Sequence, residues 1–255
     1  MAAIDKLSYH SGLRYVNTGE KFAFSAITLV LCIGSRSVCL AVFVFFAMGI
    51  LTVKKGGIPI SEYLRLLTIP MVFLGMNSLI LGVSIRQTPL EVFAIRWGTW
   101  YLTGGRETIG YGIQIFITAM AAVSCLYFLS CNTTMTDLLI LFRKWKCPAL
   151  IAELMLLIYR FIFVLLDRGR AVSIAQKSRL GNRDYRTGLH SFGELVSCLF
   201  VSSVKRSEAL FDAMESRCYD GVIRVLEEEY PPKKREVFGM IAFELWACFL
   251  IWIGR

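Results

Sequence analysis

Two short segments carry the residues best suited to chemistry: "IAQKSRLG" at 174–181 and "AMESRCY" at 213–219. Each sets a Ser-Arg pair, Ser178-Arg179 and Ser216-Arg217, near the end of a long stretch with helical periodicity. An arginine there is favoured by the negative end of the helix dipole. Its planar guanidinium can form two parallel hydrogen bonds to a carboxylate, which the compact charge of lysine cannot. Two similar helices, each ending in a projecting arginine, suit two similar grooves on a partner. Two solvated helix-end arginines satisfy the same spacing.

Other candidate chemistry is sparse. The sequence contains no G-x-x-x-x-G-K-[ST] phosphate loop, so the chain is not expected to hydrolyse ATP itself. "GGRETIG" at 104–110 reads as a glycine-rich turn. The histidines, His10 and His190, are far apart, and no C-x-x-C pair occurs among the 8 cysteines. No metal site and no disulfide are expected from that pattern. Glu244, in "IAFELWACF", is the carboxylate well inside an apolar run. It reads as a structural residue, protonated or paired within the bundle; proton coupling is the other reading. Asn77, also inside an apolar run, is expected to hydrogen-bond between helices.

The elements that must position the arginines belong to a membrane protein. Of the 255 residues 56% are hydrophobic, against about 45–50% in a typical soluble domain. Apolar runs near 22–33, 37–53, 66–86, 111–131 and 236–253 predict five spans. Residues 87–110, with Trp97, Trp100 and Tyr101, read as an interfacial segment. The net charge of +9 fits basic cytoplasmic loops. Nothing in the sequence suggests nucleic-acid binding.

Two further apolar runs, near 149–166 and 189–204, are flanked by strongly basic segments. Residues 167–187 carry Arg168, Arg170, Lys177, Arg179, Arg183 and Arg186. If both runs crossed the bilayer, that segment would lie outside, against the positive-inside rule. The simpler reading keeps 132–235 on the cytoplasmic side as long amphipathic helices; a seven-span chain is the alternative. In 189–217 one stripe joins Leu189, Phe192, Val196, Leu199, Ser203, Leu210, Met214 and Arg217. In the preceding helix Leu154, Ile158, Phe161, Leu165, Val172 and Ala175 form a similar stripe. Pro148 fits a helix start, and Gly181 and Gly221 are expected to end the two helices.

The predicted fold class is therefore an all-α integral membrane protein with about five transmembrane helices. Its regions are 1–131 with four spans, a coupling-helix module at 132–235, and a last span at 236–255. The N-terminus and the module are expected in the cytoplasm of a cell-membrane protein, and the C-terminus outside.

The sequence resembles the transmembrane (T) component of energy-coupling-factor (ECF) transporters. "AQKSRLG" and "ALFDAMESRCYDG" resemble that family's two Ala-Arg-Gly signatures, and "TTMTDLLILF" at 133–142 resembles the segment before its coupling helices. "IDKLSYHSGLRYVNTGEKF" at 4–22 resembles the cobalt/nickel, CbiQ-type branch. Ser178 and Ser216 stand where the signature has Ala, Leu180 and Cys218 where it has Gly, and Met135 where Pro is common. The resemblance implies a non-catalytic coupling subunit. Ser178, Arg179, Leu180, Ser216, Arg217 and Cys218 would form its contacts with ATP-binding-cassette ATPases. It also implies a separate substrate-capturing S component for Co²⁺ or Ni²⁺ and a surrounding of membrane lipid. This chain would bind no cofactor itself, with ATP and Mg held by the partners. A self-contained channel or secondary transporter is the alternative, but it would need more polar groups within the spans. An integral-membrane enzyme would need a cluster of His, Asp or Glu near the interface, and no convincing one occurs.

Overall fold

The computed structural model describes residues 3–35, 37–82, 84–86, 93–97, 100–104, 106–221, 223 and 230–253. The chain forms two compact units, Ala2–Thr134 with Glu229–Arg255, and Met135–Glu228.

The larger unit is a helical bundle. It contains α1 (Ala3–His10), α2 (Thr18–Ser35), α3 (Val38–Ile50), α4 (Ile60–Gly82), α5 (Arg106–Asn132) and α9 (Lys234–Ile253). Helix α3 continues as a π turn over Leu51–Lys55. The smaller unit contains α6 (Met135–Lys144), α7 (Ala149–Ser178) and α8 (Tyr185–Glu215).

Among the described residues, four helices are long and apolar enough to cross a membrane: Val38–Lys55, Ile60–Leu81, Thr108–Asn132 and Ala149–Ser178. The first three coincide with predicted spans. Helices α2 and α9 form where the first and last spans were predicted, yet they fall outside those four. Glu20 and Lys21 open α2, and Lys234, Arg235, Glu236 and Glu244 lie in α9. Helix α7 qualifies through its apolar first half, although its second half carries Arg168, Arg170 and Lys177.

Small residues let the helices of the larger unit approach closely. Ala41, Ala121, Cys125 and Ala247 share one buried cluster with Leu40, Val44, Met48 and Phe128. In a bilayer such close packing, rather than water exclusion, holds helices together. Polar groups lock the end of this core. Lys21, only 1% exposed, donates its ammonium to the carbonyls of Leu13 at 3.1 Å and Asn132 at 2.9 Å. It thereby caps α5 with a positive charge where the helix dipole is negative. Ser11 Oγ donates to Asn132 Oδ1 at 2.7 Å, and Asn132 Nδ2 donates to the Phe128 carbonyl at 2.7 Å. Gly56 follows the π turn because a Cβ there would collide with the Asn132 side-chain oxygen and the Thr52 carbonyl.

Several local expectations change. Asn77 donates to the carbonyl of Phe73, 3.0 Å away on its own helix, instead of bridging two helices. The glycine-rich stretch at 104–110 is already helical from Arg106, the start of α5. Part of the segment read as interfacial is a small antiparallel sheet. Strands β1 (Ser84–Arg86), β2 (Phe93–Trp97) and β3 (Trp100–Gly104) lie in the order β1-β3-β2, with Ile85 and Ile95 both opposite Leu102. "FAIRW" and "WYLTG" are rich in aromatic and β-branched residues, which favour a strand over a surface helix. Residues 87–92 and 98–99 of that segment lie outside the described residues.

Candidate functional site: two arginine-tipped helix ends

Helices α7 and α8 run antiparallel. Near one end the Gln176 amide donates to the Ser191 carbonyl at 2.7 Å, and Ser191 Oγ donates to the Gly181 carbonyl at 2.8 Å. Further along, a Cβ added to Gly169 would lie 3.5 Å from Leu199 Cδ1. At the other end Glu153, in the first turns of α7, receives two hydrogen bonds from the segment after α8. Tyr219 OH donates to its Oε2 at 2.7 Å, and the Ile223 amide to its Oε1 at 2.8 Å. Because the helices are antiparallel, Arg179 and Arg217 occupy opposite ends of the pair. At 1.5 Å per residue the 30 residues of α7 extend about 45 Å.

Both arginines sit in the same local geometry. After α7 the amide of Leu180 donates to the Lys177 carbonyl at 3.1 Å, and that of Gly181 to the Gln176 carbonyl at 2.8 Å. After α8 the amide of Cys218 donates to the Glu215 carbonyl at 2.9 Å, and that of Tyr219 to the Met214 carbonyl at 3.1 Å. These are two superimposable Schellman caps. Arg179 and Arg217 are the last residues before the turn. Leu180 and Cys218 take the left-handed position, with φ of 58° and 59°. The helices therefore do not end through Gly181 and Gly221, as expected, but one or more residues earlier at Leu180 and Cys218. Helix α6 closes identically, with Lys146 left-handed at φ 59° and the Cys147 amide donating to the Phe142 carbonyl at 3.1 Å.

This geometry gives each residue of the two triplets a job. Glycine is the residue of choice at the left-handed position, so Leu180 and Cys218 hold it at a cost of about 1–2 kcal/mol each. Ser178 and Ser216 turn their hydroxyls back onto their own helices, donating to the carbonyls of Ile174 and Ala213 at 3.0 Å each. They leave the arginines as the outward groups. Arg179 and Arg217 are exposed, and among the described residues neither guanidinium has a hydrogen-bond or ion-pair partner. Leu180 is 69% exposed beside the first.

The apolar stripes of α7 and α8 are only partly outward: Phe161, Leu165, Leu199, Leu210 and Met214 are half-buried. Leu154, Ile158, Leu189, Phe192, Val196 and Phe200 are all exposed. They are surface for lipid or a partner, not core.

Three positioning residues escaped sequence reasoning: Glu153, Tyr219 and Ser191. Glu153 did leave a signal, as the carboxylate in the apolar opening "ALIAELML", because a buried charge needs partners. The bond to Glu153, with its negative charge, pushes the Tyr219 phenol above its ordinary range. Elsewhere, Thr28 Oγ1 lies 2.6 Å from Glu244 Oε1, while Glu244 Oε2 is buried without a hydrogen-bond partner among the described residues. No cluster of His, Cys, Asp or Glu able to hold a metal exists among the described residues.

Residues 11–228 match the family described as cobalt transport protein, CbiQ. The chain belongs to the CbiQ family. It is 30% identical over 252 residues to an uncharacterised protein of Methanocaldococcus jannaschii, covering 99% of this chain and 93% of that one. It is 27% identical over 248 residues to the cobalt transport protein CbiQ of Rhodobacter capsulatus, covering 94% and 93%. It also resembles the energy-coupling factor transporter transmembrane protein EcfT of Ruminiclostridium cellulolyticum, with 30% identity over 184 residues covering 67% and 66%. Membership in the CbiQ family makes this chain a transmembrane component of the ECF type, consistent with its helical, membrane-spanning fold.

Proposed function

We propose that this chain couples ATP hydrolysis in partner ATP-binding-cassette ATPases to cobalt or nickel uptake through a separate S component. Arg179 and Arg217 are the docking groups, one for each of two ATPase grooves. Ser178, Leu180, Ser216 and Cys218 shape the helix ends that present them. The observation that carries this reading is the repeated cap: two exposed guanidinium groups, unpaired among the described residues, in one geometry at opposite ends of an antiparallel helix pair. A pair of matching tips suits a partner that is itself a pair.

The remaining parts follow from charge and apolarity. Basic segments on both sides of α7 and α8 favour the cytoplasmic face for this unit, where ATPases with their ATP and Mg reside. The exposed apolar residues of α7 and α8 supply surface for the S component. Movement of the ATPases toward and away from each other shifts the two tips, and the helix pair passes that displacement to the S component holding the metal ion. A desolvated arginine–carboxylate contact would cost about 3–5 kcal/mol to break by truncation, and about 1 kcal/mol or less if solvated.

The test is co-purification. Arg179→Ala with Arg217→Ala should release the ATPases and abolish metal uptake, while the chain still reaches the membrane. ATPases retained at normal yield, with normal uptake, would remove the docking role.

A further inference from the structure

The larger unit holds a cavity of about 710 Å³ at the end of the bundle where the span Val38–Lys55 finishes. That volume is within the range of ligand pockets, about 300–1,000 Å³. Its floor is apolar, with Leu51, Phe24, Phe128, Met240 and Phe243, and its rim is basic, with Lys55, Lys233 and Arg235. Lys55 is the last residue of its span, so the rim lies at headgroup depth and the floor reaches toward the hydrocarbon.

A second observation narrows the occupant. Glu236 also lines this cavity. Its charged neighbour Glu20 has both carboxylate oxygens shielded from solvent without any hydrogen-bond partner. Glu236 is the carboxylate that faces the cavity, with Glu20 behind it adding to the negative field, and it suits a donor carrying positive charge. Lys233 reaches Glu236 at 3.9 Å, a long and half-exposed contact. Lys21, which also lines the cavity, gives hydrogen bonds to the Leu13 and Asn132 carbonyls. Lys55 and Arg235 have no side-chain partner among the described residues and point to an anion instead. One molecule presents an anion, a primary amine and an apolar body together at this depth of a bilayer.

We propose that the cavity binds an aminophospholipid. Its phosphate would meet Lys55 and Arg235, its ammonium Glu236, and its acyl chains the phenylalanine-lined floor. This assignment is independent of the coupling role of the arginine tips.

The test uses the purified, delipidated full-length chain in detergent, titrated with lipid and followed by native mass spectrometry. Phosphatidylethanolamine should bind at least about tenfold more tightly than phosphatidylglycerol, which lacks the amine, or phosphatidylcholine, which lacks its N–H donors; tenfold is the loss of about 1.4 kcal/mol. Lys55→Ala with Arg235→Ala should lose retention of all three. Glu236→Gln, or Glu236→Ala should the first fail to fold, should equalise phosphatidylethanolamine and phosphatidylglycerol. Equal binding of the three lipids by the wild type, unchanged binding by the double alanine variant, or full displacement by inorganic phosphate alone would overturn the proposal.

Discussion

Tyr219 donates its phenolic hydrogen to Oε2 of Glu153 across 2.7 Å, joining the segment just after Arg217 to the first turns of α7. The Ile223 amide takes the other oxygen of the same carboxylate at 2.8 Å. One buried acid thereby fixes where the second arginine tip emerges. Glu153→Ala should leave the helices intact but free residues 219–223. Amide hydrogen exchange at Ile223 should accelerate by about tenfold or more, the scale expected for losing a hydrogen bond to a charged group. Unchanged exchange there would show that the tether does not hold the tip.

The same contact has a pH signature. The Tyr219 phenol is pushed up, chiefly by its bond to Glu153. Its contribution is therefore fully present below the ordinary tyrosine pKa of about 10. It is lost only as pH rises through the higher folded value. Spectroscopic titration of the phenolate, as a difference against Tyr219→Phe, should show Tyr219 ionising late, and Glu153→Gln should move it back toward the ordinary value.

The left-handed positions make a separate prediction. Leu180→Gly and Cys218→Gly should each raise stability by about 0.5–1 kcal/mol, the relief of strain offset in part by the freedom glycine loses on folding. Leu180→Val should lower it by about 1 kcal/mol, since a β-branched residue is poorly tolerated at positive φ. Thermal unfolding in detergent reads both signs.

Lys21 tests the cap on α5. Lys21→Met keeps the apolar stem but removes the ammonium that serves Leu13 and Asn132. Two buried carbonyls lose a donor, at a cost of about 1–3 kcal/mol, and the thermal midpoint should fall. Lys21→Arg should recover little, because the planar fork does not reproduce a compact ammonium in a closed site.

Arg179→Lys and Arg217→Lys distinguish the geometry of docking from its charge. Both keep the positive charge, yet each should weaken ATPase retention by about tenfold or more if the contact is bidentate. Retention equal to wild type would show that charge alone suffices.

Much of this was legible in the residues. The three spans at 37–53, 66–86 and 111–131 became helices because uninterrupted apolar runs of that length have no other way to satisfy their backbone in lipid. The tip arginines were legible because serine, arginine and periodicity recur together. The caps were misplaced because Gly181 and Gly221 looked like natural terminators, whereas the chain uses Leu180 and Cys218 in spite of their side chains. The pairing of Glu153 with Tyr219 was hidden because it links residues distant in sequence through an antiparallel arrangement that periodicity alone does not specify. The strands at 84–104 were missed because their aromatic residues served equally well as interface anchors.

The antiparallel course of α7 and α8 has a mechanical consequence. With both tips docked as proposed, opposed forces acting across the axis of the pair at Arg179 and Arg217 would sum to a torque instead of a net push. A small stroke across either extremity would then become rotation of the helix pair as a whole.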